Sequence, residues 1–131
     1  MPELPEVQTV VNYIKPLCIG KKLIRVKPVW SKVLHNFNEG FNSDFKNNEV
    51  RDIYRRAKFI IIAFEDYILA VHLRMTGKLY VKSNNFQSKY ITAVFEFEGQ
   101  DSLYFEDVRK FGRVYLYDDL KVIDSKHGPE P

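Results

Sequence analysis

Three segments in the second half of the chain alternate apolar and polar residues with a period of two: YITAVFEFE (90–98), SLYFED (102–107) and RVYLYD (113–118). That period places successive side chains on opposite faces of a strand, so each segment must find a second layer for its apolar face. In the first segment Val94, Glu96 and Glu98 share one face, and Phe95 and Phe97 share the other. Gly99-Gln100-Asp101 is a short hairpin connection to the next. Further strands are expected at KKLIRVKPV (21–29) and at EVRDIYRRAK (49–58), the latter running into FIIIAFE (59–65). Another is expected at YILAVHLR (67–74), after a tight Glu65-Asp66 turn. Short strands joined by tight turns point to a mainly β chain with few helices, built as a β-sandwich or a barrel-like core.

One helix is expected, over PEVQTVVNYIK (5–15), where Val7, Val10, Val11 and Ile14 line one face. Pro5 suits a first helical turn, and Glu6 favours the positive end of the helix dipole. Pro16 is expected to end the helix at Lys15. The stretch 31–48 is polar and Asn-rich and reads as loop, short helix or both. The closing DSKHGPEP is Pro/Gly-rich, as at a domain edge. A length of 131 residues fits one domain, 1–131. The net charge of +3 is compatible with a polyanionic partner without requiring one. The single cysteine, Cys18, excludes an intrachain disulfide and any multi-cysteine zinc site in this chain. No apolar run reaches the ~18 residues that span a membrane, and no signal segment opens the chain, so the expected compartment is the reducing cytosol.

Four places carry residues suited to chemistry. The first is MPELPE at the start. Removal of Met1, the usual processing before a small second residue, gives Pro2 a free secondary amine. An α-amino group has a pKa of about 8, well below that of lysine, so it is more nucleophilic at neutral pH. Such an amine attacks a carbonyl-like carbon to give a cationic iminium, with Glu3 and Glu6 at hand for acid–base work. The plainer reading is a proline that starts the chain and a glutamate that decorates a helix. The second place is HLRMTGKL (72–79), where Gly77 permits a tight turn that exposes Met75 beside His72 and Arg74. An exposed methionine among cations suits an apolar wedge between stacked bases, although methionine is also common core filler. The third is EDVRKFGRVYLY (106–117), whose Arg109, Lys110, Phe111 and Arg113 suit phosphate binding, base contact and stacking, or else a basic turn with Phe111 folded inward. The fourth is RRAKF (55–59), where Lys58 stands at a strand mouth, either reaching into a site or solvated.

Taken together and in this order, MPELPEV, RRAKF, HLRMTGKL, DVRKFG and the terminal HGPEP resemble the formamidopyrimidine-DNA glycosylase (Fpg/Nei, MutM-type) family, over essentially the whole chain. The resemblance implies a β-sandwich preceded by an N-terminal α-helix. It implies base-excision repair: removal of oxidised purines such as 8-oxoguanine and formamidopyrimidines, then strand cleavage at the abasic site. Pro2 matches the nucleophile that forms a Schiff base at the deoxyribose C1′, Glu3 the general acid and Glu6 a supporting carboxylate. Lys58 matches the lysine that contacts phosphate and is assigned to proton donation in β-elimination. Met75, Arg109 and Phe111 match residues that fill the space left by a flipped nucleotide and probe the opposite base. His72 and Tyr90 match DNA-contacting positions, and Arg74 and Lys110 add cations beside them. Extruding a base costs a few kcal/mol, which inserted side chains offset. The opening MPELPEV resembles the formamidopyrimidine branch rather than the endonuclease VIII branch, which acts on oxidised pyrimidines.

The resemblance also implies a second domain, with a helix–two-turn–helix motif and a four-cysteine zinc finger, which is absent from these 131 residues. The expectation is therefore an N-terminal catalytic domain with no metal or cofactor of its own. Its partner is damaged double-stranded DNA, which associates it with the bacterial nucleoid, and it is expected to be a monomer with no membrane contact. Alone it is expected to have weak glycosylase activity or none. A catalytically inert DNA-binding remnant is the contrasting expectation.

Overall fold

The computed structural model describes residues 4–37 and 48–117. Helix α1 (Leu4–Cys18) is followed by ten strands. They are β1 (Lys22–Pro28), β2 (Leu34–His35), β3 (Asn48–Glu49), β4 (Asp52–Arg56), β5 (Phe59–Ala63), β6 (Ile68–His72), β7 (Gly77–Ser83), β8 (Ile91–Phe97), β9 (Asp101–Asp107) and β10 (Arg113–Tyr117). They form two five-stranded sheets, ordered β3-β1-β8-β9-β7 and β2-β10-β6-β5-β4. The architecture is thus the β-sandwich with an N-terminal helix, and not a closed barrel.

The alternating segments behave as their period requires. Phe95, Phe97, Leu103 and Phe105 point between the sheets, together with Leu69, Val71 and Val114 from the facing sheet. Val94 points outward, to pack with Ile91 and Tyr104. The unbroken apolar run of β5 has a different cause. Ile60 and Ile62 enter the central core, while Phe59 and Ile61 join Ile68, Ala70 and Tyr117 on the outer face of the same sheet. A strand covered on both faces reads as continuous rather than alternating. In β1 a register shift between Leu23 and Arg25 lets Leu23 and Val26, three residues apart, both point inward.

Helix α1 closes one side of the sandwich. It packs against β4 and β7, the edge strands of the two sheets on that side. Val7, Val11, Ile14 and Cys18 are buried in the central core, and Lys15 pairs with Asp52 of β4 at 3.1 Å. Covering an edge in this way removes a site for unwanted strand pairing.

Four local expectations are corrected. The helix does not stop before Pro16 but continues to Cys18, with the proline inside it. The missing N–H costs one backbone bond on an exposed stretch. The extra turn buries Cys18, and the Ile19 N–H donates to the Lys15 carbonyl at 3.1 Å. The true stop is Gly20, whose φ of +83° is the left-handed conformation that ends helices. Second, the segment 49–58 is not one strand. The chain crosses between sheets at Val50-Arg51, where Val50 is buried and exchanges backbone bonds with Gly20 and Lys21. Third, Arg56 and Phe59 face each other across a two-residue turn, so β4 does not run on into β5. Fourth, 77–83 forms β7, paired with β9 along its whole length, where no strand was expected. Within 31–48, residues 34–35 form β2, and 38–47 lie outside the described residues.

Burial pushes the Cys18 thiol up from an ordinary value of 9.0 to about 12, against a smaller opposing effect of Lys21. A thiol whose folded pKa is raised stabilises the fold fully below its unfolded value of about 9, and that contribution is lost as pH climbs toward 12. A thiol-specific disulfide reagent at pH 8 is therefore expected to leave Cys18 unmodified in the native chain and to titrate it fully in denaturant. Rapid native reaction would show that the last turn of α1 opens.

Candidate functional site

Two loops cross from one sheet to the other at the same end of the sandwich: 73–76 links β6 to β7, and 108–112 links β9 to β10. Asp107 closes both. Its carboxylate, 1% exposed, accepts from the Thr76 hydroxyl, from the Arg109 N–H at 3.1 Å and from the Gly112 N–H at 2.7 Å. A buried carboxylate is tolerated when donors satisfy its lone pairs, and here each donor belongs to one of the loops.

The loops are tight because glycine stands where side chains do not fit. A Cβ on Gly112 would overlap Phe105 and press on the Asp107 carboxylate and the His72 carbonyl, both at 3.0 Å. A Cβ on Gly77 would overlap the Leu73 carbonyl and meet Phe105 at 2.9 Å. Gly77 therefore serves close approach and not a left-handed turn. That conformation falls instead on Arg74 (φ +57°) and Lys110 (φ +59°). Left-handed backbone is costly for these residues and persists only where surrounding contacts enforce it.

The tips of these loops carry the predicted residues. Met75 is 51% exposed and Phe111 is 47% exposed. Both line a cleft of about 370 Å³ with Arg74 and Arg113. Arg109 extends along Met75, with Nη1 at 3.9 Å from the sulfur. Phe111 is thus not folded inward, and Met75 is not core filler. Lys110 is exposed, its ammonium 5.9 Å from the Trp30 ring centre.

Sheet register brings the other residues to this end. His72, the last residue of β6, stands between Phe59 of β5 and Arg113 of β10. Its Nδ1 accepts from the Arg74 N–H at 3.1 Å, and its ring meets Phe59 edge-on at 5.0 Å. Lys58 is exposed in the β4–β5 turn, immediately before Phe59. Ala57 in that turn takes a left-handed φ of +52°. Tyr90 is exposed just before β8, and its carbonyl accepts from the Asp107 N–H at 2.9 Å. Glu6, on the first turn of α1, shares a second cleft of about 430 Å³ with Met75, Thr76 and Tyr80. Burial, then the Glu106 carboxylate that accepts from the Tyr80 hydroxyl at 2.7 Å, holds this phenol protonated. Pro2 and Glu3 lie outside the described residues. A larger cleft on the outer face of the β3-β1-β8-β9-β7 sheet, beside Phe86 and Tyr104, contains none of the predicted residues.

Sequence reasoning gave no role to Asp107 and Thr76. The available signal was an aspartate just before a turn with a glycine five positions later, the pattern of a side chain that bonds nearby backbone N–H groups. Asp107→Ala is expected to cost on the order of 3 kcal/mol, because it strands a buried Gly112 N–H and two further donors. Asp107→Asn, which keeps one acceptor oxygen, is expected to cost less. Thermal unfolding of the two variants measures the difference.

The comparisons with known proteins agree with this geometry. The family model for the formamidopyrimidine-DNA glycosylase N-terminal domain matches residues 1–114. The formamidopyrimidine-DNA glycosylase of Protochlamydia amoebophila is 42% identical over 135 residues, covering all of this chain and 49% of that protein. The enzyme of Streptococcus pneumoniae serotype 4 is 36% identical over 136 residues, covering all of this chain and 50% of that protein. The chain thus spans about half the length of these relatives. The crystal structure of Lactococcus lactis formamidopyrimidine-DNA glycosylase, non-covalently bound to DNA containing an abasic site, superimposes with a TM-score of 0.87 at 28% identity. That match covers 95% of this chain and 49% of the other. A complex of the same enzyme with DNA containing FAPY-dG gives a TM-score of 0.85, also at 28% identity, over 94% of this chain and 47% of the other. By sequence and by fold, the chain belongs to the formamidopyrimidine-DNA glycosylase family through its N-terminal domain.

Proposed function

We propose that this chain is the catalytic half of a base-excision repair enzyme, a DNA glycosylase and abasic-site lyase that removes oxidised purines through the amine of Pro2. The observation that supports this best is the meeting of two features at one end of the sandwich. The exposed Met75, Arg109 and Phe111 stand where the first turn of α1 brings Glu6 to the same cleft as Met75. Pro2 precedes the helix by only two residues, so the chain tethers its amine within ~7 Å of the helix start. A reacting amine and a wedge must be close together, because the extruded nucleotide and the gap that it leaves are neighbours on one strand.

The roles divide as follows. Met75 and Phe111 enter the stack, and Arg109 reads the base left without a partner. His72, Arg74, Lys110 and Tyr90 hold the backbone. Pro2 attacks C1′, the base leaves carrying a proton, the Pro2 N–H proton is lost, and the resulting ring aminal becomes an iminium as the C1′–O4′ bond breaks. Glu3 protonates the sugar ring oxygen as the ring opens, and Glu6 supports it. The iminium acidifies C2′, and loss of that proton expels the 3′ phosphate by β-elimination, with Lys58 serving the proton transfers. Water then hydrolyses the iminium and frees Pro2. The preference for oxidised purines rests on the formamidopyrimidine-type opening MPELPEV. The relatives solved with DNA containing FAPY-dG and carbocyclic 8-oxo-G support it.

Borohydride reduction in the presence of an abasic-site duplex tests the chemistry. The chain lacking Met1 is expected to be trapped on the DNA. Retention of Met1 is expected to suppress trapping, because it converts the Pro2 nitrogen to a tertiary amide. DNA binding with no trapped adduct would overturn the enzymatic reading in favour of an inert DNA-binding domain.

A further inference from the structure

Arg74 and Arg113 are arranged as if for an anion. The Arg113 guanidinium lies over Trp30, with Cζ 4.9 Å from the ring centre, and its Nη1 donates to the Lys110 and Gly112 carbonyls at 2.8 Å each. These contacts fix the plane and leave Nε and Nη2 for a ligand. Arg74 is held in its left-handed backbone by His72, and its Nη2 reaches the Tyr115 hydroxyl at 3.5 Å. Its Nε is buried with no hydrogen-bond partner. A buried donor left unmatched is destabilising, and a bound acceptor would relieve it. His35 pairs in register with Tyr115, their ring centres 5.1 Å apart. Partial desolvation, then Arg113 and Arg74, hold its imidazole below the usual histidine range. Among the described residues neither Arg74 nor Arg113 forms an ion pair with a carboxylate.

We propose that Arg74, Arg113 and His35 form a cradle for one backbone phosphodiester of the bound DNA, beside the Met75–Phe111 wedge. A phosphodiester within a strand fits better than a free anion. The cleft between the two arginines is completed by the apolar Met75 and Phe111, so its ligand brings a negative group and a flat apolar surface together. The cradle adds Arg113 and His35 to the interface and gives Trp30 and Tyr115 the task of orienting it. It rests on the reading of this end as a DNA interface.

The test measures binding of the chain to an abasic-site duplex as a function of salt. Arg113→Gln and His35→Ala are compared with the parent chain, and thermal unfolding of each variant checks that the fold is intact. Arg113→Gln is expected to lower the slope of log K against log salt by about 1 and to weaken binding about tenfold. His35, at an exposed position, is expected to give a smaller loss. A scan of single neutral methylphosphonates is expected to find one position that weakens the parent chain about tenfold and leaves Arg113→Gln nearly unaffected. Parent-like slopes in both variants, or methylphosphonate effects that simply add to that of Arg113→Gln at every position, would overturn the cradle while leaving the DNA interface in place. Failure of the parent chain to bind the duplex would overturn both.

Discussion

The carboxylate of Asp107 joins two loops that belong to different strand connections and cross between the sheets in opposite directions. Strand pairing alone sets Gly77 opposite Asp107 and goes no further. The side chain does the rest, by accepting from Thr76 in one loop and from Arg109 and Gly112 in the other. Every residue that the DNA reading needs at the wedge is within a few positions of one of those donors. A single buried side chain thereby turns one end of the sandwich into a defined surface.

That surface carries features that a purely structural end would avoid. Two large apolar side chains stand half in solvent, and two basic residues hold left-handed backbone. Such costs persist where the surrounding structure enforces them, and the sandwich enforces them from below through Phe105, which packs under both Gly77 and Gly112. The core and the site are therefore one mechanical unit. The same aromatic ring that fills the space between the sheets sets how closely the two loops approach.

Much of the fold was legible because period and face agree. The segments 90–98, 102–107 and 113–118 became β8, β9 and β10 with Phe95 and Phe97 inward, as their alternation required. The failures also have causes. Pro16 did not end α1, because burial of Cys18 outweighs one lost backbone bond. The strand 77–83 offers only Leu79 and Val81 to the core between lysines, so its pairing with β9 reveals it more clearly than its own pattern does. The break at Val50-Arg51 is a change of sheet, for which a local pattern has no sign. The exposure of Met75 and Phe111 was open in the sequence, since methionine and phenylalanine are as much at home in a core.

By itself the sequence determined the class of structure, several of its strand segments, and the set of reactive and basic residues that mark the family. Those properties follow from local periodicity and from residue types in order along the chain. Only the tertiary structure decided that the loops 73–76 and 108–112 share one end, that Asp107 binds them, and that Arg74 and His35 meet at Tyr115. The contacts between elements join residues from 31 positions apart (Thr76–Asp107) to 80 (His35–Tyr115), and they depend on which sheet each strand joins and in what register. A local pattern can fix a face, but the juxtaposition of faces is settled by the packing of the two sheets.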